Sequence, residues 1–164
     1  MNKIERPREF GELLCGADYL LRPGGYAVIR RATGEIAVVT TPQGCFLPGG
    51  GQNPGESPAQ AAIREVHEEC ALRIQIGSLI GVADQLVYSA DEATHFRKRC
   101  SFYQAEVIAS DSNGGEVDHA LSWLAPDDAL QRLTHESQQW AVAKGCGTSN
   151  VRNEQEPLMP GGKV

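Results

Sequence analysis

Hydrophobic positions along the chain switch between two periods, and the switches mark the elements. "GYAVIRR" (25–31) and "EIAVVTT" (35–41) are apolar, β-branched runs separated by "ATG", which predicts two strands joined as a hairpin. "LRIQIGSLIGVADQLVY" (72–88) predicts one or two strands with a break at glycine. "RCSFYQAEVIA" (99–109) and "HALSWLA" (119–125) predict two more, with "DEATHFRK" as a polar connection. The period lengthens over 58–70, in "PDDALQRL" after Pro126, and in "ESQQWAVAKG", which read as helices. Strands flanking a central helix, with further helix after them, give a mixed α/β class. Residues 1–16 read as a polar lead-in with room for a short helix. Residues 17–145 form one folded unit, and 146–164 read as a disordered polar tail rich in Gly and Pro.

The central helix carries the densest charge. Ser57 is a good N-cap, Pro58 suits the first helical position, and Gln60 completes a capping box. Helical spacing places Ala59, Ala62, Ile63, Val66 and Cys70 on an apolar face. Glu65, Glu68 and Glu69 fall on another face, within an arc of about 100°. Acids at i, i+3 and i+4 repel by a few tenths of a kcal/mol per pair when exposed. They also crowd the helix end where the macrodipole disfavours them. Such a cluster is either a solvated acidic face or a site for a hard cation such as Mg²⁺ or Mn²⁺, which prefers oxygen ligands. The acids alone leave both readings open. The segment before them decides.

Composition narrows the context. A chain of 164 residues suits one domain with a real core. A formal charge of −6 argues against non-specific nucleic-acid or anionic-membrane binding. No apolar run approaches membrane-spanning length, and "MNKIERPREF" has no apolar signal core. Cys15, Cys45, Cys70, Cys100 and Cys146 form no CxxC or CxxH pair, so they read as reduced thiols of a cytoplasmic protein. Cys45 and Cys70 lack an adjacent base and read as packing groups. The chain is expected to act as a monomer or homodimer on a small molecule.

"LPGGGQNPGESPAQAAIREVHEECAL" (47–72) resembles the signature of the Nudix hydrolase superfamily, the MutT-like hydrolases. Gly50, Glu56, Arg64, Glu65, Val66, Glu68, Glu69 and Leu72 stand in register with it. Ala71 departs from it, standing where the family has Gly. That Gly sits at a left-handed helix end, and Ala there would cost about 1 kcal/mol. The resemblance also touches the later "SWLAPDDAL". It implies an α/β/α sandwich with a mixed sheet and a loop-helix-loop catalytic motif. It implies that the Gly49 carbonyl, Glu65, Glu68 and Glu69 hold Mg²⁺ or Mn²⁺. Arg64 pairs with Glu56 or Glu68 and orients the acids, while Gly50 and Glu56 serve the motif structurally.

The implied chemistry is hydrolysis of a diphosphate linkage in a nucleoside diphosphate joined to another group, with metal ions supplying charge stabilisation. The resemblance implies a general base that is either a helix acid or a loop carboxylate; Glu116 and Asp118 in "GGEVDHALSW" are the loop candidates, and His119 is a further candidate by its chemistry. Tyr88 lies 16 positions beyond Leu72, a spacing that in the superfamily is associated with dinucleoside polyphosphate hydrolases, and it can stack on a base. Arg97, Lys98 and Arg99 can meet a phosphate chain or face solvent. A nucleotide-sugar or an oxidised nucleoside triphosphate stays open as substrate. A Nudix-fold module that binds a nucleotide without turnover is the alternative from another class.

Overall fold

The computed structural model describes residues 6–111 and 114–147. The elements run β1 (Arg8–Phe10), β2 (Tyr19–Ile29), β3 (Ile36–Thr41), β4 (Gly44–Phe46), β5 (Gly49–Gly51), α1 (Pro58–Cys70), β6 (Leu72–Ser89), β7 (Thr94–Ser110), β8 (Ala120–Leu124), α2 (Pro126–Arg132) and α3 (Glu136–Cys146). Five strands form one sheet in the order β1-β6-β7-β2-β5, and three form a second in the order β4-β3-β8. In the large sheet β1 runs parallel to β6 and β2 parallel to β7, while the β6–β7 and β2–β5 pairs are antiparallel.

Alternation along β2 explains the layers. Side chains of a strand point to opposite faces in turn. Ala27 and Ile29 pack with Val66 of α1, whereas Val28 packs with Phe102, Ala141 and Val142, the last two from α3. The helices α1 and α3 therefore cover opposite faces, and the fold is the α/β/α sandwich with a mixed sheet that the resemblance implies. Cys70 and Cys45 pack against the two cores, one in each, and all five cysteines are unpaired.

Several elements differ from the sequence reading. The lead-in contains a strand rather than a helix: β1 pairs with β6 through Arg8↔Ala83 to Phe10↔Gln85. Three residues carry too little period to be read from sequence. Residues 72–89 form one strand, with register shifts between Ile76 and Gly81 taking up the glycine break as bulges. The run 94–98, read as a connection, belongs to β7. The β2–β3 turn closes through Arg31 N–H to the Glu35 carbonyl and a bridge Arg30↔Ile36, after which the two strands enter different sheets. The helix α3 runs through Cys146 to Gly147, and the tail from 148 onward lies outside the described residues.

The orientation of α1 matters most for function. Its buried residues are Ala61, Ala62, Val66 and Glu69, while Ile63 is 42% exposed. The helix is thus turned relative to the apolar face expected from its sequence, and the turn carries Glu69 inward. Close approach to β2 accounts for it. A Cβ on Gly25 would stand 1.8 Å from the Pro58 carbonyl oxygen, so only glycine lets the first turn of α1 lie against the sheet. Because backbone rather than a flexible side chain blocks that space, Gly25→Ala is expected to destabilise the fold by about 3 kcal/mol, the upper end of overpacking penalties. Urea denaturation checks this; a loss under about 1 kcal/mol would show that α1 can ride outward freely.

Candidate active site

The site grows from the N-terminal junction of α1. The capping box forms: Gln60 N–H donates to Ser57 Oγ at 3.1 Å, and Ser57 N–H to Gln60 Oε1 at 2.9 Å. Just before it, Glu56 folds back on the loop and accepts from Asn53 N–H at 2.8 Å. Arg64, two turns into the helix, grips Glu56 with both arms of its fork, Nε to Oε1 at 2.8 Å and Nη2 to Oε2 at 2.9 Å. Nη2 also donates to the Gly51 carbonyl at 2.9 Å, and Nη1 reaches Glu65 at 2.8 Å and Glu68 at 3.3 Å. This bidentate contact holds the Glu56 carboxyl down at about 2, with the Asn53 N–H assisting.

The loop itself becomes edge strand β5, whose Gly49, Gly50 and Gly51 pair with Tyr26, Gly25 and Gly24. A Cβ on Gly50 would lie 2.5 Å from Glu65 Cδ, so this glycine makes room for the carboxylate. Ala71 closes the other end of α1 in the left-handed conformation, φ 55° and ψ 27°, and its N–H donates to the His67 carbonyl. The family's helix-end geometry is kept without the family's glycine.

Glu69 is the electrostatic centre. It is 8% exposed, and burial first, then the charges of Glu65, Glu116 and Glu68, raise its carboxyl to about 8; the Gly49 N–H opposes the shift. Glu65, Glu68, Glu69 and the Gly49 carbonyl are the oxygen donors available to a cation. Among the described residues no three His, Cys, Asp or Glu side chains stand close enough together to hold an ion. Arg64 accounts for this in part, since it draws Glu65 and Glu68 to itself.

Glu69 and Gly49–Gly51 line a cavity of about 620 Å³ together with Arg22, Tyr26, Phe46, Lys98, His135 and Gln138, whereas Glu65 and Glu68 lie outside its lining. Tyr88 stands at its mouth, 58% exposed, with its ring 4.8 Å from that of His95. Asp118 and His119 line the cavity as well. Glu116 acts on Glu69 by charge and lies 2.9 Å from His119 Nδ1, an ion-pair distance without hydrogen-bond geometry. Arg97 and Arg99 are not brought to the cavity. Both turn to the other face of β7, where Arg99 holds the buried Asp84 with two bonds of 2.9 Å and Arg97 bonds Glu9 and Asp84. Lys98, between them, faces the cavity instead. Strict alternation would have separated Lys98 from its neighbours once the strand was known to start at Thr94. Tyr26, Phe46, His135 and Gln138 carry no local signal, because the packing of α3 and β4 against the sheet is what gathers them.

The comparisons with known proteins agree with this architecture. The family model for the NUDIX domain matches residues 20–145. The chain belongs to the Nudix hydrolase family. Diphosphoinositol polyphosphate phosphohydrolase NUDT4B of Homo sapiens is 26% identical over 134 residues, covering 77% of this chain and 71% of that protein. Diphosphoinositol polyphosphate phosphohydrolase 3-alpha of Homo sapiens is 46% identical over 102 residues, 60% of each chain. A NUDIX hydrolase from Nitrosomonas europaea superposes with a TM-score of 0.65 at 20% identity, over 78% of this chain and 90% of that one, which supports the fold alone. This Nudix chain is a pyrophosphohydrolase by family, and no helix among its described residues is long and apolar enough to cross a membrane.

Two outcomes follow for this Nudix site. Glu69 without metal keeps its proton below about pH 8, against an ordinary 4.5, so the native state binds more protons than the unfolded chain across that window. The metal-free fold should therefore lose stability as pH rises from about 4.5 to 8. A cation needs the carboxylate, so Mg²⁺ or Mn²⁺ binding at pH 7 should release close to one proton, and almost none well above pH 8. Calorimetry in buffers of different ionisation enthalpy reads this directly; binding heats that do not depend on the buffer would contradict it. Separately, Arg64→Lys keeps one charge but loses the fork to Glu56. We expect kcat to fall by roughly 10- to 100-fold, about 1.4–2.7 kcal/mol in barrier, with far-UV circular dichroism unchanged.

Proposed function

We propose that this Nudix hydrolase cleaves, with Mg²⁺ or Mn²⁺, a diphosphate linkage in a nucleoside diphosphate joined to another group, a dinucleoside polyphosphate foremost. The observation that carries the reading is Glu69: a carboxyl buried in a cavity wall, crowded by three other acids and backed by a glycine strand. Without a cation this arrangement costs stability, so the donor set fits a hard divalent ion. When bound, such an ion neutralises phosphate charge and acidifies water.

The chain's own residues do the remaining work. Arg64 fixes Glu56 and the Gly51 carbonyl, which locks the loop to the helix that carries Glu69 into the cavity wall. On this reading Glu116, whose charge bears on Glu69, takes a proton from attacking water, and His119 stands beside it. Tyr88 offers an aromatic face at the mouth for a nucleobase.

The names of the curated relatives support a second reading, a diphosphoinositol polyphosphate as substrate. Arg22 and Lys98 are the only Arg or Lys among the described residues lining the cavity. Two cations suit a linear phosphate chain better than a densely phosphorylated ring, which supports the nucleotide reading.

A panel of dinucleoside polyphosphates, nucleotide-sugars, oxidised nucleoside triphosphates and diphosphoinositol polyphosphates, assayed with Mg²⁺ or Mn²⁺ for released phosphate and monophosphate, separates these. Dinucleoside polyphosphates are expected to turn over fastest. Excess chelator should abolish turnover, and Glu69→Gln should lower kcat at least about 100-fold, the loss of one strong electrostatic stabiliser. Full activity in chelator would overturn the reading.

A further inference from the structure

The large sheet has an edge that its own strands leave open. β5 covers β2 only from Gly24 to Tyr26, through Gly51 to Gly49. Past that point Gln52 N–H donates to the Pro23 carbonyl at 2.9 Å, and the chain then turns through Glu56 N–H to the Asn53 carbonyl. The segment Tyr19–Arg22 is therefore paired with β7 on one side only. Two bonds show where its backbone points. Ala27 N–H meets the Pro48 carbonyl and the Pro23 carbonyl meets Gln52, so odd-numbered residues of β2 aim their N–H and C=O away from β7. The register with β7 runs unbroken from Tyr19 to Ile29, so Tyr19 and Leu21 point the same way. Their backbone groups have no partner among the described residues.

The side chains do not guard this edge. Leu20 is 58% exposed and Leu21 49%. Alternation puts Leu20 on the face that α3 covers and Leu21 on the face that α1 covers. Tyr19 Oη accepts from Leu14 N–H at 3.1 Å and donates to the Glu12 carbonyl at 3.3 Å, which ties the exposed Leu13 and Leu14 to the Leu21 face. Open edges are commonly blunted by lysine or by a bulge, and neither interrupts residues 19–22. Free backbone groups between two exposed leucines suit an added strand.

The sequence of the edge says which strand. Laid antiparallel to a second copy about a two-fold axis at Leu20, "DYLLR" (18–22) is self-complementary. Leu20 stands opposite its own copy, Tyr19 opposite Leu21, and Asp18 opposite Arg22. Asp18 is exposed and forms no ion pair among the described residues, so its charge is free to meet the guanidinium. The backbone agrees. Each Tyr19–Leu21 pair exchanges both of its N–H to C=O bonds, and Leu20 takes the non-hydrogen-bonded position, where opposed side chains come closest. Moving the axis to Leu21 sets Tyr19 opposite Pro23, which has no N–H and whose carbonyl already serves Gln52. The pairing stops at Asp18 because Ala17 N–H turns back to the Leu14 carbonyl.

We propose that the β2 edge at Tyr19–Arg22 is a homodimer interface, on which a second copy of this chain pairs antiparallel about a two-fold axis at Leu20 and joins two five-stranded sheets into one. The interface is small, so the dimer is a weak one.

Sedimentation equilibrium of the full chain over a concentration series tests this. The parent should dimerise with a Kd of about 10 µM, within tenfold either way. Leu20→Lys opposes two ammonium groups across the axis and should weaken the dimer at least about tenfold, with circular dichroism unchanged because Leu20 is exposed in the single chain. Cysteine pairs read the register in a Cys15→Ser background, which removes the exposed thiol. Leu20→Cys brings its Cα to about 4.5 Å from its copy, and should cross-link to a dimer under mild oxidation. Leu21→Cys lies out of line with its copy, beyond the Cα reach of a disulfide at about 7 Å, and should not. A parent still monomeric at millimolar concentration overturns the proposal and leaves the edge to a strand from another protein. A dimer that Leu20→Lys does not weaken overturns it as well. So does a Leu21→Cys chain that cross-links as fast as Leu20→Cys.

Discussion

Everything near the cavity depends on one guanidinium. Arg64 touches Glu56, the Gly51 carbonyl, Glu65 and Glu68, and so ties loop, edge strand and helix into one body. Glu65, Glu68 and Glu69 would otherwise repel one another along the helix, since like charges at helical spacing repel. Arg64 relieves that repulsion for Glu65 and Glu68 but makes no bond with Glu69. The one acid left without a cation is the one most deeply buried. Structural order and chemical tension thus have the same origin: the fork that stabilises the motif leaves its charge imbalance concentrated at a single carboxyl.

The sheet supports this arrangement from below. Gly25 lets α1 approach β2 until backbone nearly touches backbone. That closeness turns Ile63 outward and Glu69 inward, against what the apolar periodicity of the helix favours. The turn gives up one aliphatic contact and sets a carboxyl in the cavity wall. Ala71 shows the same economy at the other end. It accepts a left-handed backbone that costs about 1 kcal/mol, and in return the chain passes directly from helix to β6.

The parts of the fold written in local chemistry were legible in the sequence. Ser57 and Gln60 announce the start of α1, and the Nudix-like spacing announces the clustered acids, whereas the Gly/Pro run before them, which reads as a loop, holds the short strands β4 and β5. What was not legible depends on partners distant in sequence. Three residues of β1 have no period to read. Lys98 parts from its neighbours because β7 begins at Thr94, and alternation along it sends Arg97 and Arg99 to Asp84 and Lys98 to the cavity. His135 and Gln138 sit on a helix start whose polar composition suggests solvent, yet Ser137 and Gln138 are buried because α3 docks across the sheet. Glu116 lies in a turn beside residues outside the described ones, and its place near Glu69 is a matter of tertiary packing.

The parallel pairing of β2 with β7 carries a kinetic consequence. The cavity wall exists only when Arg22 and Lys98 stand side by side, and these belong to segments separated by most of the domain. Neither a hairpin nor a helix can template that pair locally, so the entropy of closing a long loop opposes it until late in folding. The β6–β7 ribbon and the capped helix can form early and wait. The cavity wall is then among the last surfaces to assemble, and a nascent chain with only its N-terminal half made has the acids but no complete cavity beside them.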